Sequence, residues 1–373
     1  MEDNLLKAKR LTFYPLKLEK KQQLTKSTYA LELSIPEDLK QIFRFQAGQY
    51  VPVQYEFQGK IFVNDYSMTS APYEEKLSLG IKVNSPESSA NAIIDKNIGD
   101  VLWVAPPQGR FTLVSKPHEF RTILGFAGGI GITPILSHFK NILHNEPRTR
   151  LFLFYSNRNR EEIAFHHELH ELVDQYGERL QVYYFLSQEN PGNHLTFGRI
   201  DEHKLELIIN QILHLDDTDE ESTIWDSVDE VLICGKGEMI KTLANACFDN
   251  GIPKKNIHFE LFQEFNEDIY PQENIFPLVE NIEVDFKLFN QEYTTQLANN
   301  KTRLLQQLLI QKYPVPYSCK SGICGSCECK LIEGEVELLE NEYLTEKEVE
   351  SGHILACMSV VLSKKIKVDF DLI

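Results

Sequence analysis

The chain has 373 residues, is 42% hydrophobic and 25% charged, and carries a formal net charge of −17. That length holds about three domains of ordinary size, and the composition is that of a globular protein. The acidic balance speaks against nucleic acid and anionic membrane as partners, and no apolar run approaches the ~20 residues needed to span a bilayer. The N-terminus, Met1 to Lys7, shows no apolar core of a signal peptide.

Residues 1–115 read as β structure. Tyr29 to Leu33, Tyr50 to Tyr55 and Leu77 to Val83 alternate or nearly alternate between apolar and polar residues, the period of a half-buried strand. Turn-forming residues separate these runs at intervals typical of a small antiparallel barrel, with one helical stretch at about Ala90 to Lys96. Over 116–262 the pattern becomes strand then helix, repeated. The apolar runs Thr122 to Phe126, Leu151 to Tyr155, Gln181 to Leu186 and Glu230 to Cys234 are the strands. The helices begin at Thr133, run through His166 and Leu172, and extend from Met239 to Phe248. Such alternation predicts a parallel, doubly wound sheet covered on both faces, which binds nucleotides at the carboxyl ends of its strands. The acidic stretch Asp216 to Glu230 reads as a solvated loop. Residues 263–280 lack periodicity and contain prolines, as a linker does. Residues 281–373 begin with a hairpin pattern, continue with a helix near Arg303 to Gln311, and then reach a cysteine-rich loop.

In that loop Cys319, Cys324 and Cys327 are spaced C-x4-C-x2-C, and Cys357 follows after 29 intervening residues. This is the ligand spacing of a plant-type [2Fe–2S] cluster. The small residues around the first three let backbone N–H groups turn toward the cluster sulfurs. A four-cysteine zinc site is the rival, but zinc ribbons favour two C-x2-C knuckles and only one pair here has that spacing. Four thiolate ligands among seven cysteines point to a reducing cytoplasm. Cys247 and Cys329 read as buried structural thiols. His166, His167 and His170 fall on one predicted helix but do not form H-E-x-x-H, and read as its polar face.

Gly125 to Pro134 includes Gly128, Gly129, Gly131 and Thr133, follows a strand and opens a helix. Glycines there let the backbone approach a pyrophosphate at a helix N-terminus, although the pattern is not G-x-G-x-x-G. Cys234, Gly235 and Met239 lie at the end of another strand of the same sheet, so both turns fall on the edge where a dinucleotide binds. A nicotinamide delivers two electrons as hydride whereas the cluster takes one, and a flavin can exchange either number. Asn64 to Ser70 sits at a strand end of the barrel, where Tyr66 offers an aromatic face and Ser67 a hydroxyl. An ordinary strand-to-turn junction with a half-buried tyrosine would look the same.

With these residues in view the chain resembles the ferredoxin–NADP reductase superfamily with an appended plant-type ferredoxin. Within it, the chain is similar to oxygenase reductases such as the reductase subunit of phenylacetyl-CoA epoxidase. Members carry R-x-Y-S, G-x-G-I-T-P and C-G-x-x-x-M, matched here by Asn64 to Ser67, Gly129 to Pro134 and Cys234 to Met239. The resemblance implies an antiparallel flavin-binding β-barrel, a nucleotide-binding sheet and a β-grasp ferredoxin domain, with FAD, a [2Fe–2S] cluster and NADPH or NADH as cofactors. It implies that Tyr66 packs on the isoalloxazine, that Ser67 hydrogen-bonds near its reactive nitrogen, and that Thr133 and Cys234 line the nicotinamide site, with Ser67 and Cys234 catalytic. Two departures concern the flavin pyrophosphate. Asn64 replaces the family's arginine, and Pro86 to Asn91 replaces a glycine-rich phosphate segment, so Lys82 or helix N–H groups must substitute for a charge-assisted contact. Arg158, after the second strand of the sheet, either meets an adenosine 2′-phosphate together with Ser156 or is a plain surface arginine.

The expected function is an NAD(P)H-dependent flavin and iron–sulfur reductase that passes single electrons to an oxygenase component, first of all phenylacetyl-CoA epoxidase. Another oxygenase or a hybrid-cluster protein could be the acceptor. A flavin dehydrogenase of a small molecule is a different class, and no acid–base pair beside the flavin motif supports it. A redox carrier or sensor is a third class, and would not need a nicotinamide site. The acidic segment Glu333 to Glu350, in which Lys347 is the sole basic residue, is either a solvated face or a docking surface for the acceptor.

Overall fold

A computed structural model describes residues 11–372 except 191, 213–223, 264, 266, 271–275, 318, 319, 321, 323, 324 and 342. The chain divides into two compact units, Met1–Phe262 and Gln263–Ile373. Among the described residues no helix is long and apolar enough to cross a membrane.

The first unit opens with a curled antiparallel sheet. Its strands are β1 (Tyr14–Gln23), β2 (Thr28–Ser34), β3 (Tyr50–Phe57), β4 (Lys60–Ser67), β5 (Leu77–Lys82) and β6 (Val101–Val104). They lie in the order β4-β3-β6-β1-β2-β5. Alternation does what the sequence predicts: Leu77, Leu79 and Ile81 are all fully buried, and they meet Leu16, Leu18, Val51, Val53, Leu102 and Val104 in one core. A bridge between Met68 and Leu79 brings the two edge strands together and curls the sheet into a half-barrel. The predicted helix at Ala90 to Lys96 is a single turn, α1 (Asn91–Ile94). Ile93 is its one buried residue, so it has no apolar face long enough to hold more turns against the sheet.

The same unit continues into a parallel sheet of order β11-β10-β7-β8-β9. These strands are β7 (Thr122–Gly128), β8 (Arg150–Asn157), β9 (Leu180–Leu186), β10 (Glu230–Gly235) and β11 (Ile257–Leu261). They are apolar on both faces because helices cover both. α2 (Ile132–Asn145) and α3 (His166–Tyr176) bury Ile135, Phe139, Leu143 and Leu169 in one core with Ile123, Leu153 and Leu232. Gly125 allows the close fit, since a Cβ there would lie 2.6 Å from the Phe139 ring. α4 (Glu202–Ile212) packs on α5 (Gly237–Asp249), and α5 packs on β10 and β11. The acidic loop expected at Asp216 to Glu230 lies largely outside the described residues.

Two buried contacts fasten α2 to the half-barrel. Ser137 Oγ donates to Ser70 O at 2.6 Å, and His138 Nε2 lies 2.8 Å from Phe111 O. Burial pushes the His138 imidazole down to about 4, so it is neutral at physiological pH. At the other end of α2 a buried ion pair ties the helix to the start of β7. The Arg121 guanidinium reaches Glu146 at 2.7 Å and 2.8 Å, and Glu146 also accepts from Thr149 Oγ1 and Lys116 N.

The second unit has a mixed sheet of order β13-β12-β18-β14-β16. It contains β12 (Glu280–Leu288), β13 (Gln291–Asn299), β14 (Glu328–Glu333), β16 (His353–Leu355) and β18 (Lys365–Asp369). A two-stranded ribbon, β15 (Val336–Leu338) with β17 (Ser359–Val361), stands beside it. α6 (Leu304–Ile310) buries Leu304, Leu305 and Leu308 in a core with Val284, Phe286, Ile366 and Val368. A short helix, α7 (Glu346–Glu350), is capped by Thr345, whose hydroxyl and N–H both meet Glu348. That carboxylate in the acidic segment is therefore engaged locally.

The Arg121–Glu146 pair yields a stability prediction. Neutralising Glu146 leaves the buried Arg121 charge only Glu230, 3.6 Å away, and breaking such a buried pair costs about 3–5 kcal/mol. Arg121 and Thr149 hold the Glu146 carboxyl below its usual 4.5. Its stabilising effect is therefore complete above that pH and is lost as the pH falls through the folded-state value. Denaturant unfolding should show Glu146→Gln strongly destabilised at pH 7, with the gap to wild type narrowing below pH ~4.5. Equal stability at pH 7 would show that the pair is dispensable.

Candidate functional site

Two glycine turns meet at the carboxyl edge of the parallel sheet. Gly131 closes the turn between β7 and α2 against the end of β10: a Cβ there would stand 2.2 Å from Cys234 O. Gly128 and Gly235 touch backbone to backbone under Met239, since a Cβ on either would lie 2.9 Å from Met239 Sδ and 3.3–3.4 Å from the other's Cα. Gly129 has φ +54, a left-handed conformation that favours glycine. Thr133 is buried. Its hydroxyl donates to Ile130 O at 3.0 Å and its methyl packs against Gly80 of β5. These contacts set the N-terminus of α2 against both the half-barrel and β10.

Cys234 is fully buried and pairs in register with Glu260 on β11. Ser67 at the end of β4 donates through Oγ to Glu260 Oε2 at 3.1 Å. Burial pushes the Glu260 carboxyl up to about 8, with Asp65 adding to the rise and Ser67 opposing it. Burial first, and then Glu260, raises Cys234 well above an ordinary thiol. Cys234 is accordingly a neutral packing surface and not a thiolate nucleophile. Beside Ser67, the Tyr66 hydroxyl is buried without a hydrogen bond of good geometry. Its neighbours Tyr55 and Asn64 bond each other instead, at 2.6 Å, and Tyr55 continues to Ser89 Oγ at 2.9 Å.

The residues expected near phosphates have protein partners. The Asn91 amide closes the preceding turn by donating to Ser85 O, Pro86 O and Ser88 O. Lys82 Nζ lies 3.6 Å from Glu162, and Arg158 grips the same carboxylate at 2.8 Å and 2.9 Å. One acidic side chain thus holds both cations read from the sequence.

In the second unit, Cys327 and Cys357 are buried side by side. The Cys357 N–H points at Cys327 Sγ at 3.4 Å, and the Ala356 N–H donates to Cys327 O at 3.0 Å. Cys319 and Cys324 lie outside the described residues. Gly322 has φ +76, and a Cβ there would meet Glu340 O at 2.7 Å, so that position favours glycine. Cys329 and Cys247 are fully buried, with thiols pushed up by burial.

Family models match the chain in succession. An oxidoreductase FAD-binding domain covers residues 15–113, an oxidoreductase NAD-binding domain 126–245, and a 2Fe-2S iron-sulfur cluster binding domain 286–362. The chain is an NAD(P)H-dependent oxidoreductase. It is similar to one of the subunits of 1,2-phenylacetyl-CoA epoxidase from Escherichia coli strain K12, 28% identical over 96% of this chain and 98% of the relative. It is also 27% identical to the ferredoxin reductase component of 3-ketosteroid-9-alpha-monooxygenase from Rhodococcus rhodochrous, over 93% of each chain. Among solved structures, phthalate dioxygenase reductase shares the fold with a TM-score of 0.51 and 22% identity, over 96% of this chain and 98% of that one.

The residues present suit these groups. Cys327 and Cys357 offer thiols with an N–H aimed at sulfur, as a cluster cage requires. The buried Tyr66 hydroxyl without a good partner, and the Ser67–Glu260 pair, give the half-barrel edge polar groups for a flavin ring. Glu260 is not among the residues singled out by the sequence, which offers no acid–base pair beside the flavin motif. A lone carboxylate near the end of the apolar strand Ile257–Leu261 was the available signal. Between pH 4.5 and about 8 the folded chain retains a proton on Glu260 that the unfolded chain has released, so stability falls as the pH rises through that window. Glu260→Gln should flatten this decline in pH-dependent unfolding of the apoprotein. It should also remove the inflection near pH 8 from the NAD(P)H–ferricyanide rate. A wild-type profile in both measurements would show that Glu260 does not titrate there.

Proposed function

We propose that the chain is the reductase component of an oxygenase system, with phenylacetyl-CoA epoxidase as the first candidate acceptor. The carrying observation is one chain with a nucleotide edge built by Gly131, Cys234, Glu260 and Ser67 and a separate unit with a cysteine pair. A two-electron donor and a one-electron outlet on one polypeptide suit delivery to a protein acceptor better than oxidation of a small molecule. When bound, the flavin and the cluster supply the exchange between hydride and single electrons. The full-length similarity to two proteins of oxygenase systems supports the same reading. The need for four thiolates fits the reducing cytoplasm as its location.

On this reading each side chain has a stated task. Tyr66 faces the isoalloxazine, and Ser67, oriented by Glu260, sits near its reactive nitrogen. Cys234, as a neutral thiol, presses on the nicotinamide, while Gly128, Gly129, Gly131 and Gly235 admit the dinucleotide backbone to the sheet edge. Thr133 and Met239 shape that edge through their packing. The pyrophosphate of FAD is met by Lys82 and the turn that Asn91 closes, and Cys319, Cys324, Cys327 and Cys357 hold the cluster.

Cys327→Ser should abolish the cluster's visible absorption, cytochrome c reduction and electron delivery to the purified oxygenase component. NAD(P)H–ferricyanide activity should survive, because the first unit has its own cores. Loss of both activities in a folded variant would overturn the modular path, and failure of the intact chain to support the oxygenase would remove that acceptor. Cofactor preference gives a second test. Arg158→Ala should raise KM for NADPH more than for NADH, whereas Glu162→Gln, which frees the guanidinium for a 2′-phosphate, should lower KM for NADPH selectively. Equal changes for both nucleotides would exclude Arg158 from phosphate recognition.

A further inference from the structure

Arg303 is a cation where an ordinary sequence reading expects only the start of a helix. It precedes α6 and is 4% exposed, and arginine is almost never so buried unless paired. Its Nη1 lies 3.1 Å from Asp268 Oδ1, 3.4 Å from Cys357 O and 3.5 Å from Met358 Sδ. The next turn of backbone completes the grip, since Leu305 N–H donates to Ala356 O at 3.0 Å. Both peptide groups flanking Cys357 are therefore held from the start of α6. The Ala356–Cys357 peptide, fixed at its oxygen, directs its N–H at Cys327 Sγ.

Asp268 comes from the segment that the sequence suggests is a linker. Here that segment is fastened to the cysteine-rich unit on two sides: by Arg303, and by Lys320, whose Nζ donates to Phe265 O at 2.6 Å. Ile269 and Tyr270 are buried beside these anchors. The two charges of the pair are unequally solvated. The Asp268 side chain is 36% exposed and that of Arg303 is 5% exposed. Water screens the carboxylate more than the guanidinium, so the two charges of the pair do not simply cancel.

We propose that Arg303 is a positioning residue for the [2Fe–2S] cluster, and that it forms with Asp268 an opposed charge pair that sets the cluster's reduction potential. The inference rests on Cys357 being a cluster ligand. Reduction adds one negative charge to the cluster, so a fixed cation favours the reduced form and a fixed anion opposes it. Burial and neighbouring groups are among the levers a protein has over such a potential. Arg303 thereby does two things at once: it orients the peptide after the fourth cysteine and biases the electron's residence.

The test is an EPR-monitored redox titration of the full-length, cluster-loaded protein. Arg303→Gln should lower the reduction potential by at least the equivalent of a tenfold change in the reduced-to-oxidised ratio, which is about 59 mV for one electron. Asp268→Asn should raise it, Arg303→Lys should stay near wild type, and the double variant Arg303→Gln/Asp268→Asn should return toward wild type. A purely structural role would move Arg303→Gln and Asp268→Asn in the same direction or move neither, and either result overturns the proposal. If Arg303→Gln loses its cluster, Asp268→Asn decides, and an unshifted potential there is equally fatal. Failure of the cluster reading itself would look different, as wild-type protein without the cluster's absorption or EPR signal.

Discussion

The nucleotide edge depends on one place where backbone touches backbone. At Gly131 the turn leaving β7 runs so close to the end of β10 that a single added carbon would collide with the Cys234 carbonyl at 2.2 Å. Because no side chain intervenes, the N-terminus of α2 comes down beside Cys234 and Gly235. The parallel register of β10 with β11 then sets Glu260 level with Cys234, and the anchoring of α2 to Ser70 and Phe111 holds the half-barrel in place. Ser67 can meet Glu260 only because all of these distances are short together. The chemistry of the edge is thus a consequence of packing, and a larger residue at 131 would disturb every member of it.

Several cations of this acidic chain are held by carboxylates of the protein. Lys82 and Arg158 share Glu162, Arg121 is held by Glu146, and Arg303 by Asp268. Lys82 and Arg158 are each engaged with Glu162, so any anion drawn to either cation competes with that carboxylate. Asn64, which replaces an arginine in the resemblance, belongs to a neutral hydrogen-bonded row with Tyr55 and Ser89 and offers no such charge.

What was legible in the sequence were features with local spacing. The alternation of Leu77, Leu79 and Ile81, the glycines before Thr133 and the C-x4-C-x2-C run each declare themselves within a few residues. Glu260, Glu162 and Arg303 did not, because their roles arise from partners far away in sequence: Ser67 on another sheet, Lys82 on the half-barrel, and Cys357 at the far end of the cysteine-rich unit. Charged residues without a nearby pattern read as solvated surface until the register of distant strands is known. The segment 263–280 reads as a linker for the same reason. It lacks periodicity, yet Asp268, Ile269 and Tyr270 are held through side chains that no local pattern announces.

The two units divide the work in a way their internal construction explains. The first closes its cores without any cysteine of the cluster, and the second closes its own around α6 with Cys327, Cys329 and Cys357 among the packed residues. A cluster that forms part of a core is held in a fixed, low-dielectric setting, so its potential answers to a few nearby charges and not to bulk solvent. The first unit buries its polarity differently, as a raised Glu260 carboxyl and a neutral Cys234 thiol. The contrast follows from packing: a carboxyl and a thiol sealed together favour their uncharged forms, whereas buried Arg303 keeps its charge because Asp268 pairs with it.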